Sequence, residues 1–247
     1  IGRAVAPMLA STAADVDEAL DEVGLASVEW KLDGIRIQVH RGDGETRVFS
    51  RNLNDITDRT SAVVEAVDQL DVDSIILDGE VLGSQPHFFD VLALDGKDLL
   101  DTPLHERRAH LERVTGSLAI PSIITDDAPT AQAQLDDALA AGHEGVMVKA
   151  INTPYEAGKR GKGWKKVKPV HTLDLVVLGA EWGHGRRKGW LSNLHLGART
   201  GDGFVMVGKT FKGLTDQTLA WQTQQILERE THREGITVFA RPELVVE

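Results

Sequence analysis

The stretch "VEWKLDGIRIQVHR", residues 28–41, decides how the chain is read. It alternates with the period of a β-strand, Val28, Trp30 and Leu32 on one face and Glu29, Lys31 and Asp33 on the other. Gly34 interrupts the run, and alternation resumes with Ile35, Ile37 and Val39 opposite Arg36, Gln38 and His40. A lysine set between two carboxylates, followed by an arginine, is ordinarily a solvated outer face with a local ion pair. The rest of the chain decides whether that reading holds here.

Working outward, "DVDEALDEVG" predicts a short helix stopped by Gly24, and "RVFSR" completes a hairpin across "GDGE". "TSAVVEAVDQL" is helical, and "SIILDGEVLG" and "HFFDVLAL" are apolar strands joined by a turn at 83–86. "TPLHERRAHLERV", starting with a cap and a proline, and "TAQAQLDDALAAGH" carry apolar residues at helical spacing. "GVMVKA" and "WKKVKP" read as strands around a polar, glycine-rich loop. Near Pro169 the texture changes to short strands, "LDLVVLGAEW", "NLHLGAR", "FVMVGKTF" and "ITVFARPELVVE", with one helix over "LTDQTLAWQTQQILERETH". That pattern predicts a small β-barrel, so an α+β domain over 1–170 is expected to precede a β domain over 171–247.

The 247 residues suffice for one large or two smaller domains. There is no cysteine, which excludes disulfides, thiolate zinc sites and a cysteine nucleophile, and fits a cytoplasmic setting. No stretch is long and apolar enough to span a membrane. The net charge of −11 argues against a polyanionic partner, yet nine Lys and Arg stand against two acids between Lys159 and Lys188. A concentrated basic segment of this kind can hold a phosphate backbone. The Walker loop, a G-x-G-x-x-G turn into a helix, H-E-x-x-H and G-x-S-x-G are all absent. Taken singly, Asp78 and Glu80 in "ILDGEV", Glu144 in "HEGVMVK", and Lys166 and Lys168 in "WKKVK" read as turn or surface residues.

Taken together and in order, "KLDG" with Arg36, "VFSRN", "LDGE", "FFDVLALDG", "EGVMVK" and "WKKVK" resemble the motifs of ATP-dependent DNA ligases of archaeal and actinobacterial type. The resemblance covers roughly residues 2–247. It implies a nucleotidyltransferase (adenylation) domain of antiparallel sheets with flanking helices over 1–170, followed by a partial, C-terminally incomplete OB-fold β-barrel over 171–247. It implies sealing of 3′-OH/5′-phosphate nicks in duplex DNA by a monomer, using ATP and Mg²⁺, through a lysyl-AMP and then a DNA-adenylate. By the same resemblance Lys31 is the nucleophile, with Lys166 and Lys168 on the α-phosphate. Glu29 accepts from the adenine amine and Phe89 stacks on the base, leaving Phe88 to the core. Arg36, Arg51 and Asn52 hold phosphates, including that of the nick. Glu80, near the ribose, and Glu144 are the metal ligands.

These residue types suit the chemistry. An amine is a nucleophile only when neutral, a state favoured by nearby cations and desolvation; cationic side chains stabilise charge developing on phosphorus, and carboxylates suit a hard divalent ion. Asp33 is expected to orient its neighbours, and Trp30 and Leu32 to turn into the core. Lys165 stands where the family has an apolar residue. The family's N-terminal helical DNA-binding domain and last OB-fold motif have no counterpart here, which implies a piece of a longer ligase, impaired in self-adenylation and weak and salt-sensitive in nick binding. Alternative readings of the same residues are an RNA ligase, a capping-type nucleotidyltransferase, and a non-catalytic nick-binding module with a vestigial pocket.

Overall fold

The structure, a computed structural model, describes residues 1–169, 172–210 and 214–247. The chain divides into two compact units, Ile1–Pro169 and Val170–Glu247. The first begins with β1 (Leu9–Thr12), α1 (Val16–Val23), β2 (Ala26–Lys31), β3 (Ile35–Gly42) and β4 (Glu45–Ser50). It continues through α2 (Ser61–Asp68), β5 (Ile75–Leu82), β6 (Gln85–Leu94), β7 (Lys97–Asp98) and α3 (Leu104–Thr115). It closes with β8 (Ser122–Thr125), α4 (Ala128–Ala140), β9 (Gly145–Ala150) and β10 (Arg160–Val167). These strands make two five-stranded sheets, ordered β1-β10-β9-β2-β8 and β4-β3-β5-β6-β7.

The 28–41 run is therefore two strands in two sheets, and Leu32–Gly34 is the crossover between them. At Gly34 an added Cβ would lie 2.3 Å from the Val81 carbonyl oxygen, so glycine is what lets β3 start against β5. The first sheet buries Val28, Val146, Val148 and Val167 against α1 and α4. The second buries Ile37, Val39, Leu77, Phe88 and Val91 with α2 and Leu111 of α3. A third cluster, Met8, Leu92, Tyr155 and Trp164, packs with Phe89 of the second sheet and Met147 of the first.

Sequence patterning misjudges β3. Ile35 is 63% exposed, whereas Gln38 and His40, on the nominally polar face, are buried. The N-terminal segment covers that face: Val5 exchanges hydrogen bonds with the Gln38 amide, and the Gly2 N–H donates to His40 Nδ1.

Helix starts also differ in kind. Asp15 caps α1 by accepting from the Glu18 N–H, and Asp127 caps α4, a turn earlier than its apolar pattern begins. No side chain caps α3; its first N–H groups, on Leu104 and His105, donate to the Thr153 and Ile151 carbonyls. β1, β7 and β8, which join the two sheets at their edges, are too short to announce themselves by alternation.

The second unit contains β11 (Leu175–Trp182), β12 (Leu191–Thr200), β13 (Gly203–Lys209), α5 (Asp216–Glu228), β14 (Glu230–Glu234), β15 (Thr237–Ala240) and β16 (Val245–Val246). Its sheet runs β13-β12-β11-β15-β14, with β16 also on β11, and its edge strands β13 and β14 do not pair with each other among the described residues. Val177, Ala180, Leu191, Leu194, Ile226 and Val238 form its core. "ERETH", expected to finish the helix, leaves it after Glu228 and pairs as β14 with β15. The last residues of "FVMVGKTF" and the first of "LDLVV"'s approach fall partly at Phe211 and at 170–171, outside the described residues.

Candidate active site

Three rows of side chains cross the first sheet. β2 pairs antiparallel with β9, and β9 with β10, so that Ser27, Lys149 and Trp164 align, as do Glu29, Met147 and Lys166. Lys31 lies opposite Gly145, whose φ of +147 and whose closeness to the Val167 carbonyl exclude a side chain. Alternate residues of the same strands face α1 and α4. Lys165 belongs to that other set: it is buried, and its ammonium is paired with Glu22 of α1. This is how a lysine occupies a position with apolar neighbours.

The second sheet supplies the opposite wall. In the β5–β6 pairing Asp78 faces Asp90 and Gly79 faces Phe88, so Phe89 is the extra residue of a β-bulge. The bulge lets two consecutive residues, Phe89 and Asp90, leave the Phe88 and Val91 core. Phe89 lines a cavity of about 340 Å³, within the range of small-molecule sites. Lys31, Glu29, Glu80, Lys166, Arg36 and Arg51 line it too, with Trp30, Met147, Lys149 and Trp164.

At one end of this cavity Lys31 Nζ contacts the Glu144 carboxylate. That contact, aided by Lys168 and Lys166, holds the Glu144 carboxyl below its usual range, partly offset by desolvation. Glu80 accepts the Gly34 N–H at 2.9 Å, and its partial burial pushes its carboxyl upward. Lys168 lies just beyond β10 and is exposed; it is not in the cavity wall. Asp33 and Asn52 are exposed and Asn52, beside Arg51 in the loop after β4, also lies outside the wall. Trp30 is only half-buried, rests against His143 at 5.0 Å between ring centres and lines the cavity, while Leu32 is buried.

Arg36 departs from its expected duty. Its Nε and Nη2 hold Asp78 at 3.0 and 2.7 Å and its Nη1 donates to the Met8 carbonyl at 2.8 Å. Tyr155 donates to the same Asp78 at 2.6 Å, and the guanidinium sits 5.3 Å from the Phe89 ring centre. Most of its donors are committed to protein, so Arg36 ties the N-terminal segment and the Phe89 wall together, while Arg51 and Arg160 also line the cavity.

The far end holds Glu29 together with two residues that sequence patterning passed over, Lys149 and Trp164. Glu29 and Lys149 are each 1% exposed and meet at 2.6 Å. Lys149 Nζ lies 4.2 Å from the Trp164 ring centre and 4.5 Å from that of Phe89. Burial pushes the Lys149 ammonium below its usual range, against the pull of Glu29 and Asp90. Lys149 ends "EGVMVK" and Trp164 opens "WKKVK", so both lay inside recognised motifs; only the register shows that they share a row. Among the described residues no group of three or more His, Asp or Glu is arranged as a metal cage. The Glu80 and Glu144 carboxylates fit an ion that takes few protein ligands and completes its shell with phosphate oxygens and water.

The sequence matches the profile of the ATP dependent DNA ligase domain over residues 7–88 and 83–168. Along its whole length it is 54% identical to a probable DNA ligase of Saccharopolyspora erythraea, covering 54% of that protein, and 52% identical to one of Rhodococcus opacus, covering 55%. The chain thus spans about half the length of the curated relatives it matches. Among solved structures, the ligase domain of M. tuberculosis LigD superposes with a TM-score of 0.57 at 24% identity, over 98% of this chain and 87% of that one. Chlorella virus DNA ligase-adenylate gives 0.51 at 16% identity, over 89% of each chain. Those two likenesses describe a shared fold of sheets with flanking helices, and the sequence match covers every strand that builds the cavity. The chain belongs to the ATP dependent DNA ligase domain family.

Proposed function

We propose that this chain is the nucleotide-transfer core of a DNA ligase, with Ile1–Pro169 as its adenylation domain and Val170–Glu247 as an OB-fold. The observation that carries this reading is Lys31 at one end of a cavity, beside two carboxylates and Lys166, with an aromatic wall at the other end. ATP is the first substrate. The base lies between Phe89 and Met147 with its amine toward Glu29, and the phosphates lie toward Lys31, Lys166 and Lys168. Attack requires the Lys31 amine to leave its contact with Glu144 and release a proton to solvent. Its nitrogen then bonds to the α-phosphorus, the bond to the bridging oxygen breaks, and pyrophosphate departs with that electron pair. Lys166 and Lys168 stabilise the charge that gathers on the phosphoryl oxygens.

The adenylate passes from Lys31 to the 5′-phosphate of a nick, and attack by the 3′-hydroxyl on that phosphate then expels AMP. Arg51 and Asn52, exposed on the loop after β4, are the side chains offered to the nick phosphate. Glu80 and Glu144 would hold Mg²⁺, which when bound neutralises phosphate charge. Nicked duplex DNA is the second substrate; Lys159, Arg160 and Lys162 of the first unit, and Arg186 and Lys188 of the second, are the exposed basic residues offered to its backbone. The chain works as a monomer in the bacterial cytoplasm; among its described residues no helix is long and apolar enough to cross a membrane.

The intact mass of the chain before and after prolonged incubation with ATP and Mg²⁺, with Lys31→Ala beside it, tests this. The expected result is a gain of one AMP in the unaltered chain and none in the variant. An unaltered chain that neither carries AMP nor acquires it overturns the reading.

A further inference from the structure

The deepest ionic contact of the cavity is not used by the chemistry at Lys31. The Glu29 carboxylate lies between two buried cations. Its Oε2 takes the 2.6 Å contact with Lys149, while its Oε1 accepts the Ser27 hydroxyl at 3.0 Å and faces Arg108 Nη1 at 3.4 Å. The two cations differ in what they border. Lys149 lines the cavity with Glu29, Phe89 and Trp164, whereas Arg108 does not. Arg108 is anchored by its Nε to Glu112 and by its Nη2 to the Ile120 carbonyl, and its buried Nη1 has no hydrogen-bond partner. An unpaired buried guanidinium nitrogen is a standing demand for an acceptor, and Glu29 Oε1 is the carboxylate oxygen within reach.

We propose that Lys149 is a positioning residue that sets base specificity: it holds the Glu29 carboxylate on the cavity side, against the pull of Arg108. There the carboxylate is an acceptor facing the 6-position of a bound purine. An ionised carboxylate only accepts hydrogen bonds, so it pairs with a 6-amino group and repels a 6-oxo oxygen. The inference rests on the reading of the cavity as a nucleotide site and adds to it the residue that keeps the recognising group in place. Lys149 does this from β9, and its own position is fixed by the Phe89 carbonyl at 3.4 Å and by the Trp164 and Phe89 rings beside it. Removing the ammonium lets Glu29 turn to Arg108 Nη1, which costs the purine amine its acceptor while leaving the aromatic wall standing.

The test compares ATP with inosine triphosphate, which differs at the 6-position, by equilibrium dialysis with the full chain after stripping with pyrophosphate and Mg²⁺. A hydrogen bond to a charged group corresponds to roughly 10- to 100-fold in affinity. The unaltered chain is expected to prefer ATP by about that factor, Lys149→Met to lose about tenfold or more of the preference, and Lys149→Arg to retain most of it. A merely structural lysine predicts that both nucleotides weaken together with their ratio unchanged, and that result overturns the proposal, as does an unaltered chain with no preference. If Lys149→Met yields no folded protein by circular dichroism, Glu29→Gln decides on the same ratio, since its amide both donates and accepts; a full preference for ATP in that variant also overturns the proposal. An unaltered chain that binds neither nucleotide overturns the reading of the cavity itself, a result distinct from an unchanged ratio.

Discussion

Arg107 and Asp90 are both fully buried and joined by two parallel hydrogen bonds, at 2.7 and 2.9 Å. Arg107 Nη1 also donates to the Thr153 carbonyl at 3.1 Å, so the pair fastens α3 to the loop between β9 and β10. Replacing one partner strands the other charge in the interior, a loss of about 3–5 kcal/mol. Arg107→Met is expected to lower unfolding free energy by that amount in urea titrations; a change under about 1 kcal/mol would show that water reaches Asp90. His40 gives a second test at this scale. Burial pushes its imidazole down to about 4 from an ordinary 6.5, and its Nδ1 accepts the Gly2 N–H. The unfolded state therefore binds more protons below pH 6.5. The contribution of neutral His40 is complete above about 6.5 and is lost as pH falls toward about 4. Stability measured across that window is expected to fall less steeply in His40→Gln than in the unaltered chain.

The crossover from β2 to β3 is where an element boundary becomes a catalytic geometry. Lys31 ends one strand, Gly34 precedes the next, and the Gly34 N–H is held by Glu80 at 2.9 Å. A methyl group at residue 34 would meet the Val81 carbonyl, a backbone atom that can move only with β5. Gly34→Ala is expected to cost about 1–3 kcal/mol and to reduce adenylation of Lys31 more than it reduces ATP binding, read by comparing adduct formation with equilibrium dialysis. Equal losses in both would mean that the strain spreads beyond the crossover. The bulge at Phe89 works on the same principle in the facing strand, since one extra residue re-aims the side chains that follow.

At the scale of the whole molecule, the described residues of Ile1–Pro169 and of Val170–Glu247 carry separate cores, two large clusters and a smaller one in the first unit and one cluster in the second. Residues 1–169 expressed alone are expected to unfold in one cooperative transition and to bind ATP as the longer chain does. A broad, non-cooperative melt of that piece would show that its cores depend on the rest.

Local order in the sequence already specified a great deal. The period-2 runs, the glycine stops and the helical spacing of apolar residues placed most strands and helices, because those signals act between neighbours within a few residues. Lys31, Glu80, Glu144, Lys166 and Phe89 were legible as candidates because they stand in ordered short motifs. Tertiary structure alone decided what the remaining side chains face. Lys165 and Lys166 are adjacent in sequence, yet one meets Glu22 of α1 and the other the cavity, since strand register assigns neighbours to opposite faces. Gln38 and His40 look solvated until the N-terminal segment covers them, and Arg36 looks open to phosphate until Asp78 lies beside it. The pairing of Glu29 with Lys149 links residues 120 positions apart in the chain. No local pattern encodes such a contact; it exists because β2 and β9 share a sheet.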